Sequence, residues 1–225
     1  MTHTEILKEL KAMSDPASVE GMFRYGIRPR KAYGIRIPVL RKLAKEIGED
    51  HRLAGKLFAS GVHEARILAS MIDDPDRVTE AQMEQWAKAF DSWDVCDQCC
   101  MNLFRRTRLA LRKVLEWSGR DEEFVKRAAF ALMATLAVHD HDSPDRVFKG
   151  FLSIIRGQAT DERSYVKKAV SWALRQIGKR NVALNRAATE TAEEIGRIDS
   201  KAARWIARDA LRELTSERVL ERLGD

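Results

Sequence analysis

Apolar residues recur at three- and four-residue spacing along almost the whole chain, and roughly every ten to eighteen residues a short polar or glycine-containing stop interrupts them. That rhythm constrains the fold more than any single motif. It predicts helices at about 4–13, from Pro16 to about Tyr25, and from Val39 through Ile47. Further helices are predicted at about 50–59, 63–72, 76–90, 93–105, 107–117, 122–138, 144–156, 162–179, 182–195, 200–214 and 216–222. The stops are Ser60-Gly61, Asp73-Asp74-Pro75, Ser118-Gly119, Asp142-Ser143-Pro144 and Gly178, residues that end helices or start turns. No run of strands competes with this pattern.

Weak internal similarity runs through the rhythm. Val125-Lys126-Arg127-Ala128-Ala129-Phe130-Ala131-Leu132 resembles Val166-Lys167-Lys168-Ala169-Val170-Ser171-Trp172-Ala173, 41 residues further on. Lys168-Ala169 through Trp172 resembles Lys201-Ala202 through Trp205 at an offset of 33. Helix pairs repeating at about 30–45 residues are the mark of an α-solenoid, in which each pair buries its apolar face on its neighbours. The expected fold is therefore all-α, a superhelix of HEAT-like helix pairs forming one domain over 1–225, with residues from successive repeats converging on a concave basic groove.

The chain carries 40 Lys and Arg against 34 Asp and Glu, a modest net charge of +6. Its distribution says more than its size. Eight cations and no acid occur from Gly21 to Lys45 (Arg24, Arg28, Arg30, Lys31, Arg36, Arg41, Lys42, Lys45). Five occur from Gln98 to Leu115 (Arg105, Arg106, Arg108, Arg112, Lys113), again without an acid. Seven occur from Arg163 to Thr189 (Arg163, Lys167, Lys168, Arg175, Lys179, Arg180, Arg186), without an acid for a third time. Such segregation suits a polyanion, because each neutralised phosphate releases counterions; the competing reading is three solvated helix faces paired with acids on neighbouring helices.

Three cysteines, Cys96, Cys99 and Cys100, crowd one helical turn, which speaks against a disulfide framework and for reduced thiols. A zinc site would need further ligands, and His139 and His141 are remote in sequence, so no metal and no cofactor is expected. Met1 to Leu10 is polar and no apolar run reaches about 18 residues, so a soluble, cytoplasmic, monomeric protein with no membrane partner is expected. The span Gly26 to Pro38 holds two glycines and two prolines between basic residues and reads as irregular backbone, without the ending of a phosphate loop.

Trp93 and Asp97 stand four residues apart, which on a helix puts an indole and a carboxylate on one face, one turn from each other. Taken alone, the spacing fits a core tryptophan beside a surface carboxylate as well as it fits a shared ligand. Taken in order, four segments go further: Tyr33-Gly34-Ile35-Arg36-Ile37-Pro38, Ser92-Trp93-Asp94-Val95-Cys96-Asp97, Lys126-Arg127-Ala128-Ala129, and Val166 through Gln176 with its Lys-Ala-x-x-Trp-x-Leu-Arg element. Together they resemble the HEAT-like-repeat DNA alkylation repair enzymes, the AlkD-like DNA glycosylases, over about Met22 to Leu214.

The resemblance implies excision of cationic N3- or N7-alkylated purines from duplex DNA, without flipping the base into a pocket. It implies Asp97 as catalytic carboxylate, Trp93 and Trp172 against the deoxyribose of the lesion, and Arg127 and Arg175 near the DNA backbone. Tyr25 and Lys168 are carried with them as DNA-binding residues. The chemistry is coherent: a cationic base leaves readily, and a carboxylate beside C1′ stabilises the oxocarbenium-like sugar and orients water. No lysine matches a Schiff-base nucleophile, so a monofunctional glycosylase is expected. Trp86, Trp117 and Trp205 are expected in the core, and the cysteines as small buried side chains. The alternative is a non-catalytic solenoid that binds bent, branched or damaged DNA.

Overall fold

Side-chain caps start the helices close to where the punctuation predicts. Thr2 and Glu5 form a capping box on α1 (His3–Ala12), and Asp15 caps α2 (Pro16–Phe23) with proline in its first turn. Next come α3 (Ile37–Ile47), α4 (His51–Ala59), α5 (His63–Ile72), α6 (Glu80–Lys88) and α7 (Trp93–Asn102). A 3-10 turn at Phe104–Arg106 leads to α8 (Ala110–Ser118), α9 (Glu123–His139) and α10 (Asp145–Gly157). The chain continues with α11 (Ser164–Gly178), α12 (Val182–Gly196), α13 (Lys201–Leu214) and α14 (Glu217–Gly224). The structure, a computed structural model, describes residues 1–224, and among them there is no strand.

Several predicted boundaries move, the start of α8 from 107 to Ala110 among them, and two have a local reason. The helix expected from 76 starts at Glu80, because Asp74 accepts the Asp76 amide at 3.0 Å in a turn and Thr79 then caps the helix by accepting from Gln82. The helix expected to reach 105 ends at Asn102. Leu103 takes φ −117 and ψ −64, and Arg105 Nε folds back onto the Met101 carbonyl at 2.6 Å.

The chain divides into two units, Met1–Ala110 and the remainder from Leu111. In unit 1, α5 packs against α3 and α7; in unit 2, α11 packs against α9 and α13, and α10 against α12. Stacking of every second helix on its equivalent is the packing of an α-solenoid, as expected. The polar ties between stacked helices keep a register. In unit 2 they recur 38 residues apart, as Arg127 to Tyr165, Ser171 to Asp209, Arg175 to Glu213 and Arg156 to Glu194. In unit 1 the spacing is 31 for His63 of α5 to Asp94 of α7, and also for Glu64 of α5 to the Tyr33 amide in the loop before α3. Close approach marks the end of α11, where a Cβ on Gly178 would lie 2.6 Å from Leu214 Cδ2 of α13.

Unit 1 is cored by Trp86, stacked on Phe58 with ring centroids 3.9 Å apart, and Trp117 of unit 2 is wholly buried. Both tryptophans take the core role expected of them. Trp205 does not: it is half-buried, and Lys167 Nζ sits 5.4 Å from its ring centroid, so a cation covers the face expected to meet apolar neighbours.

Asp161 ties the α10–α11 connection together. Its carboxylate accepts from Arg163 at 2.6 and 2.9 Å and from Lys126 Nζ of α9 at 3.1 Å. These partners, Arg163 first, hold its pKa at about 2. The folded pKa lies below the unfolded value, so its stabilisation is complete above about pH 4 and disappears as pH falls towards 2. Asp161→Asn is expected to cost about 1–2 kcal/mol near neutral pH, allowing for solvent screening. Urea unfolding of both proteins from pH 7 to pH 2 should show the gap closing below pH 4; a gap independent of pH would remove the ionised carboxylate from the account.

Candidate nucleic-acid interface and excision site

The site in unit 1 is built on α5, whose buried face carries three charged or titratable side chains in an otherwise apolar helix, His63, Glu64 and Arg66. Each ties down a segment that bears candidate residues. Glu64, 1% exposed, accepts the backbone amides of Tyr33 at 2.9 Å, Gly34 at 2.6 Å and Ile35 at 3.4 Å. One buried carboxylate thereby satisfies three amides of the irregular loop before α3. Gly34 is required there: it has φ +77, and a Cβ would stand 2.4 Å from the Asp15 carbonyl oxygen. Glu64→Ala strands those amides, and a loss of about 2–3 kcal/mol is expected. The urea midpoint should fall accordingly; an unchanged midpoint would show that water replaces the carboxylate at no cost.

Arg66 fixes the approach to α7. It donates to Asp91 at 2.6 Å and to the Ala89 carbonyl at 2.5 Å, and its guanidinium lies 4.8 Å from the Phe58 ring centroid. His63 Nε2 lies 2.8 Å from Asp94 Oδ2. Burial pushes the Asp94 carboxyl up, but the hydrogen bond and charge of His63 outweigh it and hold Asp94 below the usual carboxylate range. Sequence reading passed over these three α5 residues. The available signal was their presence on a helix too short of polar positions to leave them all in solvent.

So held, α7 presents Trp93 in its first turn and Asp97 one turn later. Trp93 is half-buried, and its Nε1 donates to the Tyr25 carbonyl at 3.0 Å, linking the start of α7 to the end of the α2 segment. Asp97 is a largely buried acid, 9% exposed. The three cysteines of the same helix are wholly buried. Burial pushes the Cys99 and Cys100 thiols well up, so they are inert packing groups.

The first basic run is what the charge pattern suggested. All eight of its cations are exposed, and Lys42 with Glu46 at 4.0 Å is the one ion pair they make among the described residues. Two aromatic side chains stand among them, Phe23 at 47% and Tyr25 at 73% exposure. Cations interleaved with open aromatic faces suit a nucleic-acid backbone and its bases.

The other two runs read differently. In the second, Lys113 is buried and bonds Glu116 at 2.5 Å, and Arg112 pairs with Glu116 at 3.3 Å, leaving Arg106 and Arg108 exposed. In the third, acids neutralise four of the seven: Glu213 of α13 takes Arg175 and Lys179, while Arg163 and Arg186 pair locally with Asp161 and Glu190. Ion pairing thus takes up four of the seven cations of the third run, two of them across helices, and leaves Lys168 exposed.

Four candidate residues belong to unit 2. Arg127 is 6% exposed and donates to the Tyr165 carbonyl at 2.6 Å, tying α9 to α11. Arg175 bonds Glu213 and lies 3.4 Å from Asp209, while Asp209 also accepts from Ser171 at 2.7 Å. Trp172 is half-buried, its Nε1 3.2 Å from the Gln176 amide oxygen when that amide is oriented to accept. Lys168 is exposed. Among the described residues no cluster of three or more His, Cys, Asp or Glu side chains could hold a metal ion, and no helix is long and apolar enough to cross a membrane.

Comparison with known proteins bears on the fold and the family. An uncharacterized protein of Listeria monocytogenes, Lmo0209, is 20% identical over 202 residues, covering 88% of each chain. A solved structure matches with a TM-score of 0.80 at 19% identity, covering 100% of this chain and 97% of the other. That protein is described as one of a new family related to the HEAT-like repeat DNA glycosylases, with affinity for branched DNA structures. Its likeness establishes the HEAT-like fold. The family model for DNA alkylation repair enzymes matches residues 6–214, and the chain belongs to that family.

Proposed function

We propose that the protein is a DNA glycosylase that hydrolyses the N-glycosidic bond of cationic N3- or N7-alkylated purines in duplex DNA. The observation that carries this reading is the placement of Trp93 and Asp97 on successive turns of α7, with Trp93 bonded to the segment bearing Tyr25 and the free cations of the first basic run. The cations hold the phosphates, and the indole and carboxylate face the sugar. Water adds to C1′ as the C1′–N bond breaks; its electron pair neutralises the departing base, and the proton of water passes to Asp97 or solvent. Asp97 stabilises the positive charge that develops on the sugar, and the Trp93 face adds an attraction of about 0.5–2 kcal/mol for a cation.

A second reading is a DNA-binding protein that recognises branched structures without excising a base. Two observations favour it: Asp97 is 9% exposed, and the structural relative is described by its affinity for branched DNA. One experiment separates the two readings. The purified protein is incubated with methylated duplex and, in parallel, with a four-way junction, and free base and complex are both measured. Release of methylated purine supports the glycosylase; tight junction binding with no free base supports the second reading and overturns the first.

A further inference from the structure

Unit 2 holds a cavity of about 310 Å³ where the C-terminal ends of α9 and α11 meet the start of α12 and the α14 helix. His141, Gln176, Lys179, Arg180, Asn181 and Arg222 contribute its polar lining. Two of these, Arg180 and Arg222, differ from most arginines of the unit in how they are held. Arg180 donates to the Ala137 carbonyl at 2.7 Å and lies 3.9 Å from the Phe148 ring centroid, and its buried Nε has no hydrogen-bond partner. Arg222 donates to the Lys179 carbonyl at 3.0 Å. Neither makes an ion pair with a carboxylate among the described residues, whereas Lys179 beside them is paired with Glu213 at 2.5 Å.

We propose that this cavity binds a phosphate-bearing anion through Arg180 and Arg222. Each guanidinium has five N–H donors, of which the carbonyl takes one, and its planar fork matches two oxygens of a phosphate. The Ala137 carbonyl and the Phe148 face hold the Arg180 fork, so it loses little side-chain freedom on binding, while the exposed Arg222 is tethered by its one bond to the Lys179 carbonyl. His141 stands exposed at the rim and can add a donor. The acids beside the cavity are each bonded to a neighbour, Glu213 to Lys179 among them. Asp145 accepts from Asn181 Nδ2 at 3.0 and 3.2 Å, and Asp140 accepts the amides of Asp142 and Ser143 at 3.1 and 2.9 Å. Burial pushes the Asp140 carboxyl up, but these bonds and the charge of Arg180 hold it low, so Asp140 is a carboxylate that partly offsets the charge of Arg180. The volume suits a single phosphate or a small phosphorylated molecule. A phosphate of DNA and a free phosphate compound offer the same chemistry, and the inference is independent of whether the protein excises bases.

The test is thermal unfolding in inorganic phosphate or pyrophosphate against chloride at matched ionic strength, for the wild type, Arg222→Gln and Arg218→Gln. The expected result is a higher midpoint in phosphate and pyrophosphate than in chloride, with apparent affinity about tenfold weaker in Arg222→Gln and unchanged in Arg218→Gln, which lies outside this cavity. A merely structural cap would lower the Arg222→Gln midpoint equally in all salts, and that outcome overturns the proposal. So does a wild-type response to phosphate no larger than to chloride. The salt dependence of duplex binding then identifies the source. If a DNA phosphate occupies the cavity, Arg222→Gln lowers the slope by about one unit. If a free phosphate compound does, the slope stays as in wild type while the phosphate response weakens about tenfold.

Discussion

Asp97→Asn is expected to lower the rate of methylated-base release by about 10²–10³-fold, some 3–4 kcal/mol of transition-state stabilisation, while duplex affinity stays within about twofold of wild type. The substitution keeps the size of the side chain and removes its charge. In the proposed reaction an amide cannot balance the positive charge that grows on the deoxyribose, so its effect falls on the chemical step rather than on binding. The surroundings of the carboxylate make the comparison informative. Asp97 is 9% exposed, and low-dielectric surroundings strengthen its interaction with a nearby cation. Thermal midpoint and circular dichroism should be recorded with the rate, since a buried carboxylate can also matter to folding. If the variant folds, binds DNA and releases base within tenfold of wild type, Asp97 is not the stabilising group.

Much of the fold was legible because helix ends are written locally. Asp15-Pro16, Ser60-Gly61 and Ser118-Gly119 stand within a residue or two of helix boundaries, since capping and turn chemistry act over three or four positions. Trp93 and Asp97 were legible for the same reason, as a one-turn spacing on one helix. Charge pairing was not. The third basic run contains no acid from Arg163 to Thr189, yet Arg175 and Lys179 both reach Glu213, at separations of 38 and 34 residues. Those separations are set by the stacking register of α11 on α13, which local sequence does not display. The same holds for Glu64, whose amide partners at Tyr33 and Gly34 lie 31 and 30 residues away. A run of cations shows where positive charge is made, and the packing of the next helix decides whether it stays available.

That distinction yields the second large effect, on DNA affinity. Arg24, Arg28 and Arg36 are exposed and make no ion pair among the described residues, whereas Arg156, Arg186 and Arg212 are exposed and paired with Glu194, Glu190 and Asp209. Changing either set of three to Gln removes the same formal charge, so net charge predicts equal losses. Phosphate contact predicts otherwise. An unpaired guanidinium neutralises a phosphate and releases its counterion, about 0.9 units of salt slope for each contact. The unpaired triple variant is therefore expected to bind duplex DNA on the order of 30–100-fold more weakly at moderate salt, with a slope shallower by about 2–3 units. The paired triple variant should lose no more than about threefold, because each of its guanidiniums already satisfies a carboxylate. Affinity measured at four or five salt concentrations gives both quantities. Equal losses in the two variants would mean that the field of the whole protein governs binding; a loss confined to the first would assign the contact to the segment between α2 and α3, which the Trp93 indole ties to the start of α7.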